Sequence, residues 1–385
     1  MTFPRTIHSR RHIPSQIPIF DFHCHVMESY SLYGDGFFQE PSLENVRQVV
    51  SYLEDGMVEK LSIPAITLYA AADLPCNPLA LYAKTQAPGR IYALAGLRRC
   101  LTREGNAGMA AQAHDLIAAG FDGFKLICKP NVRRSFRFAI NDPLFDEFYA
   151  EAEKHSWPIL FHVGDPASFW QKDTVPGWAV RNGWYYGDDA DIPPFRTFYE
   201  ETFDVLKRYP ALRVTFAHFF FMADTLDQVA ALLDAYPRVC FDVTPGTEMY
   251  AAFSAQPDTA RELFTAYGNR FLFGTDNTGC QGPQRKNNLQ KSRENIAVMR
   301  RFFETGDTFD GFDYRLRGLA LDKRILDQLY HQNFLRLLGG TPAPVDPRRA
   351  AALCGEYRSL ITRDAPFAET TIRLLEEIQN IFDGL

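Results

Sequence analysis

The chain has 385 residues, 46% of them hydrophobic and 23% charged, the balance of a globular protein with a large core. A net charge of −6 argues against nucleic acid and acidic membrane surfaces as partners, and no apolar run reaches the roughly 20 residues of a membrane span. Seven scattered cysteines, an odd number without a Cys-x-x-Cys, point to reduced thiols in a cytoplasm rather than a disulfide framework.

Residues 1–16 carry Arg5, Arg10 and Arg11 without an apolar stretch of signal-peptide length, so they read as a loose N-terminal arm. Pro18 to Val26, a β-branched and aromatic run, reads as the first strand. Successive strand side chains point to opposite faces, so His23 and His25 share one face while Cys24 packs on the other. Two neutral imidazoles so placed can converge on one ion beyond the strand end. A Gly- and aromatic-rich loop follows, Met27 to Gln39. A helix then starts after Ser42 and stops near Gly56.

The pattern then repeats. Strands are expected at Lys60 to Leu68, Ile91 to Leu97, Phe121 to Ile127, Pro158 to Val163, Leu212 to His218, Arg238 to Val243 and Arg270 to Thr275. Helical patterns separate most of them: Asn77 to Thr85, Ala107 to Ala119 before Gly120, Asp142-Pro143 to Lys154, Thr197 to Tyr209, Asp224 to Tyr236 and Pro257 to Tyr267. Eight strands in βα units predict an α/β protein of the (β/α)8 TIM-barrel type. A doubly wound open sheet is the competing topology.

Two stretches interrupt the rhythm. Gly164 to Pro194 is long, rich in Trp and Tyr, and follows the fifth strand, where a barrel carries its active-site loops; it reads as a lid without an obvious element. Gly306 to Gly318 follows the last strand. Beyond it, Asp322 to Leu338 is a strong helix, and Arg348 to Thr362 and Ala368 to Phe382 read as helices packed outside the barrel. The expected organisation is one domain: the arm, a barrel over 17–340 with the lid at 164–194, and C-terminal helices over 341–385.

The polar residues sort onto this frame. Four of nine histidines (His23, His25, His162 and His218) fall at strand ends, and Asp276 directly follows the eighth strand. Three imidazoles and a carboxylate suit zinc, or Mn, Fe, Co or Ni in its place, better than calcium or magnesium. Such an ion lowers the pKa of bound water from about 15.7 towards 7. A neighbouring carboxylate then accepts the proton, and an unligated histidine polarises a carbonyl or protonates a leaving group. Weaker candidates lie around the mouth. Arg133, Arg134 and Arg137 suit a substrate carboxylate or a solvated loop; Trp170 and Trp184 suit a pocket wall or lid packing. Arg98, Arg99 and Asp165 also fall on the functional face.

Five segments together resemble the amidohydrolase superfamily, and more closely its amidohydrolase-related branch, which includes aminocarboxymuconate semialdehyde decarboxylase. They are Phe20-Asp21-Phe22-His23-Cys24-His25, Gly123-Phe124-Lys125-Leu126, Pro158-Ile159-Leu160-Phe161-His162-Val163-Gly164, Ala217-His218 and Phe273-Gly274-Thr275-Asp276. Tyr330 to Gly339 resembles that branch's closing helix. The resemblance implies one divalent metal held by His23, His25, His162 and Asp276, with His218 and Asp276 as catalytic groups. Lys125 falls where two-metal members carry a carboxylated lysine. The branch resembled more often works with one metal, so an ordinary lysine is expected here, paired with a carboxylate or binding an acidic substrate. The resemblance implies a metal-dependent hydrolase of a small-molecule amide, ester or lactone. Non-oxidative decarboxylation of an unsaturated or aromatic acid is the alternative, and a catalytically inactive binding barrel the third reading. A homodimer is compatible with all three.

Overall fold

The computed structural model describes residues 14–27, 40–66, 73–99, 108–246, 248–279, 284–365 and 367–385, with the side chains of residues 135 and 284–287 excepted. The loop expected at Met27 to Gln39, most of the N-terminal arm and the end of the second predicted strand lie outside these residues. Eight parallel strands run in chain order around one sheet: Phe20–Asp21, Lys60–Pro64, Ile91–Gly96, Gly123–Cys128, Pro158–Val163, Arg213–Phe216, Cys240–Asp242 and Phe271–Leu272. The first and last strands meet. Phe22 N donates to Phe273 O at 2.9 Å, and just beyond, Cys24–His25 pairs in parallel with Asn277–Thr278. The sheet is therefore a closed barrel, and the open-sheet alternative is wrong.

Local chemistry explains where the elements begin and end. Ser42 Oγ accepts from Glu44 N at 3.1 Å and starts the helix Leu43–Glu54, which satisfies one of the orphan donors of a first turn. Gly120 ends the helix Met109–Ala119 in the left-handed region (φ 112°), and a Cβ there would stand 2.5 Å from Pro344 O. Asp142 caps the turn Pro143–Phe145, which leads into the helix Asp146–His155. The fifth strand has the predicted limits.

The closing helix plugs the end of the barrel away from the histidines. Phe334 meets Phe20, Phe22 and Tyr92 edge-on, at centroid distances of 5.6, 6.3 and 4.9 Å. Asn333 Nδ2 donates to Gly268 O (2.8 Å) and Phe271 O (2.6 Å) and ties this helix to the eighth strand. It reads as one helix in the sequence, but a π-type stretch, Gln328–Gln332, divides it. The helices Pro347–Ser359 and Ala368–Asp383 lie outside the barrel, as expected. Tyr357 OH accepts from Asn77 Nδ2 at 2.9 Å and packs with Leu74 and Leu375.

Four elements escape the sequence reading. The helix Pro130–Phe136 follows the fourth strand. The helix Gln284–Glu304 follows the eighth strand, the helix Met249–Ala255 follows the seventh, and Gly306 to Gly318 contains an antiparallel hairpin, Thr308–Gly311 with Tyr314–Arg317. The lid also has elements of its own, the turns Ala167–Trp170 and Gly177–Arg181. Phe169, Trp178 and Trp184 pack together within it. No helix among the described residues is long and apolar enough to cross a membrane. Five described cysteines (24, 76, 128, 240 and 354) are free thiols.

Candidate metal centre

The mouth of the barrel is organised by the break in the first strand. Pairing with the second strand stops at Asp21, and pairing with the residues after the eighth strand starts at Cys24. Asp21 holds the two ends together: its Oδ1 accepts from His23 N and Thr275 N, both at 3.0 Å, and its Oδ2 accepts from Thr275 Oγ1 at 2.5 Å. Gly274 is required beside this clamp, because a Cβ there would stand 2.3 Å from Thr244 Oγ1 and 2.9 Å from His23 Cβ. Cys24 is fully buried on the other face.

His23 and His25 are turned by their Nδ1 atoms. Nδ1 of His25 lies 2.8 Å from Pro64 O, a pure acceptor, so it carries the proton. Nδ1 of His23 lies 2.8 Å from Asp242 Oδ2, which favours the same tautomer. Both Nε2 lone pairs are thereby left facing one point. They stand 3.1 Å apart, and Asp276 Oδ1 is 3.2 Å from that of His25 and 3.6 Å from that of His23. Burial holds His23 well below the usual histidine range, so it is neutral at pH 7. Asp276 lies well below the usual carboxylate range: burial opposes its ionisation, but the histidines facing it outweigh that. Two buried lone pairs facing a half-buried carboxylate are satisfied by a cation, and N and O donors of this kind fit a divalent transition metal.

The other predicted residues fall around this group rather than into it. The donors of His23, His25 and Asp276 lie within 4.8 Å of one another, and those of His162 do not join that set. His162 instead meets His218 edge-on, with ring centroids 4.8 Å apart, and His218 lies 5.4 Å from His23. Nε2 of His162 and Nδ1 of His218 are buried and have no hydrogen-bond partner among the described residues. Burial pushes His218 down to about 4, so its ring is neutral at pH 7. Lys125 is buried, with Nζ 3.0 Å from His23 Nε2; burial brings it down to about 8.

The basic residues after the fourth strand do not form an anion site. They lie on or just after the helix Pro130–Phe136, and each meets an acid: Arg133 with Glu201 at 3.1 Å, Arg134 with Asp189, and Arg137 with Asp191 at 3.8 Å. Two of these acids belong to the lid segment, so the arginines anchor it. Trp170 is lid packing, against Tyr186, Phe195 and Phe198, and its Nε1 donates to Pro193 O at 3.2 Å. Trp184 is closer to the mouth, with Lys129 Nζ 4.5 Å from its ring centre. Lys129 also meets Asp165 at 3.3 Å.

His218 owes its position to an unusual backbone. Four consecutive residues, His218 to Phe221, are left-handed, with φ between 52° and 55°. For non-glycine residues this costs about 1–2 kcal/mol each. Phe219 and Phe220 are fully buried, an offset of about 1.5–3 kcal/mol each. Phe219 packs on Phe241 and Phe253, and Phe220 stacks on Phe216 with centroids 4.0 Å apart. Of the bulky run after His218, only Phe221 turns towards the mouth, where its ring stacks on His218 at 5.6 Å. Asp242, at the end of the seventh strand, was not singled out in the sequence. It both orients His23 and accepts from His218 N at 2.8 Å; its only signal was its place at a strand end.

A second compact group, His114, Glu151 and His155, lies on the outer helices with both rings exposed, His155 stacked on Trp157 and His114 edge-on to it. It is an ion-pair cluster with both rings 2.8–3.1 Å from Glu151.

Among solved structures, an uncharacterised TIM-barrel protein from Bordetella bronchiseptica is 14% identical, with 84% of this chain and 99% of that one covered and a TM-score of 0.50. An amidohydrolase II is 16% identical, with 83% and 99% covered and a TM-score of 0.50. A 5-carboxyvanillate decarboxylase from Sphingomonas paucimobilis is 12% identical, with 84% and 99% covered and a TM-score of 0.49. No curated protein matches the sequence significantly. The sequence profile described as Amidohydrolase matches residues 21–340. With that match over most of its length, the chain belongs to the amidohydrolase family.

Proposed function

We propose that the protein is a metal-dependent hydrolase acting on an amide, ester or lactone of a small molecule. The observation that carries this reading is the convergence of the His23 and His25 Nε2 atoms on the Asp276 carboxylate, beside a neutral His218 with an unpartnered ring nitrogen. His23, His25 and Asp276 would hold one divalent ion, with His162 as the fourth candidate ligand. That ion, when bound, supplies acidity to a water molecule near neutral pH. Asp276 accepts the proton of the attacking water. His218, neutral at pH 7, is better suited to donating a hydrogen bond to the substrate's carbonyl oxygen than to acting as a store of protons, and this narrows the two roles open to it. Lys125 acts as an ordinary cation that offsets charge building on the carbonyl oxygen.

Non-oxidative decarboxylation is the second reading. It is favoured by the buried Lys125 ammonium 3.0 Å from His23 Nε2, which would pair with a substrate carboxylate. The deciding experiment is incubation of the zinc- or manganese-loaded protein with panels of lactones, esters, amides and aromatic acids. Hydrolysis products without carbon dioxide support the first reading; carbon dioxide release from an aromatic acid replaces it with the second.

A further inference from the structure

A cavity of about 300 Å³ opens beside the candidate centre. His218 and Phe221 form one wall, the lid's Ser168 another, and the segment after the seventh strand brings in Glu248 and Met249. Asp224 completes it from the turn after the sixth strand. The charged side chains among the lining residues are the two acids, Asp224 and Glu248, and among the described residues no Lys or Arg lines it. The nearby Asp165 is already compensated, by Lys129 at 3.3 Å and by Tyr186 OH at 2.8 Å.

We propose that this cavity takes the cationic end, a primary ammonium or a guanidinium, of the substrate whose reacting bond lies at the His23, His25 and Asp276 centre. The inference rests on the reading of that centre as the reaction site and adds the substrate class to it. Three observations carry it. The cavity is a walled space lined by His218, so it adjoins the ring that stands beside the centre. His218 is itself 6% exposed, lines the same space and keeps Nδ1 without a partner among the described residues. A buried polar atom of that kind marks a place where a ligand supplies the missing bond. Finally, two carboxylates line one small space. Glu248 is pushed up to about 7, first by burial and then by the charges of Asp224 and Asp165. An entering ammonium relieves that repulsion and gains charge-assisted hydrogen bonds. An anionic tail would meet the opposite balance. A carboxylated substrate therefore fits only with its acid turned towards Lys125.

The test uses three probes of equal length, pentylamine, pentan-1-ol and pentanoate, titrated calorimetrically into the metal-bearing protein. Pentylamine is expected to bind at least about 10-fold more tightly than pentan-1-ol, the worth of one charge-assisted hydrogen bond, and pentanoate most weakly. Glu248→Gln combined with Asp224→Asn should bring the amine to within about 2-fold of the alcohol with metal content unchanged. Glu248→Lys should turn the preference towards pentanoate. Equal or undetectable binding of the amine, or a preference that survives the double substitution, overturns the inference. Turnover separates it from the hydrolase reading. An amine preference in a protein that hydrolyses none of the panel leaves the cation site standing and overturns the reaction, while hydrolysis without amine preference does the reverse.

Discussion

The two ends of the barrel handle buried polar groups in opposite ways. At the end where the strands begin, Lys84 Nζ lies 2.7 Å from Asp122 Oδ2 and donates to Gly120 O at 2.5 Å. The Asp122 carboxylate also accepts from Ala93 N at 2.8 Å and Ala343 N at 2.6 Å. Burial brings the lysine down and the aspartate up, yet each finds partners. At the mouth, two imidazole nitrogens face each other at 3.1 Å, and two more, on His162 and His218, have no hydrogen-bond partner among the described residues. Both regions are buried and polar. A satisfied network holds structure together; an unsatisfied one, held rigidly by its neighbours, is arranged for something that arrives.

If that contrast is correct, substitutions at the mouth change binding and chemistry, and those at the far end change stability. The largest effect is expected for His23→Ala with His25→Ala: elemental analysis should fall from about one metal ion per chain to background, while the circular dichroism stays that of the parent. Unchanged metal content in that variant removes the centre. Next, His218→Asn should keep the metal and lower kcat by about 10²–10⁴-fold, the range of general acid–base and polarising groups. A variant stripped of metal as completely as His162→Asn would make His218 a ligand and call for a two-metal site.

Lys84→Met leaves the Asp122 charge buried without its cation, which costs about 3–5 kcal/mol. Urea unfolding should show that loss with no change in metal content, and a shift in metal content instead would erase the distinction between the two ends. The smallest effect is expected for Asp242→Asn. It keeps a hydrogen bond to His23 but weakens the hold on its tautomer, so metal affinity should fall by about 10–100-fold. Competition with a chelator measures this, and an unchanged affinity would show that Thr244, 3.3 Å from His23 Nδ1, is enough to orient the ring.

Much of this was visible in the order of residues. The βα rhythm, the eight strands and the places of His23, His25, His162, His218 and Asp276 at their ends follow from local patterns: alternation, capping by Ser42 and Asp142, and stops at Gly56 and Gly120. The helix Gln284–Glu304 escaped because it is polar over much of its length, so its apolar stripe is faint. The hairpin after it is short and carries charges on both strands. The roles of Arg133, Arg134 and Trp170 were open because a side chain's partner is decided by elements far away in sequence.

The amino-acid sequence alone determined the class of fold and which histidines stand at strand ends, because strand and helix periods are local properties. The tertiary structure decided the rest. Only closure of the first strand on the eighth brings Asp276 N within 2.7 Å of His23 O and its carboxylate to the two imidazoles. Only aromatic packing around Phe219 and Phe220 compensates the left-handed turn that sets His218 in place. Geometry of this kind depends on contacts between residues about 20 to more than 250 positions apart, and no local pattern encodes it.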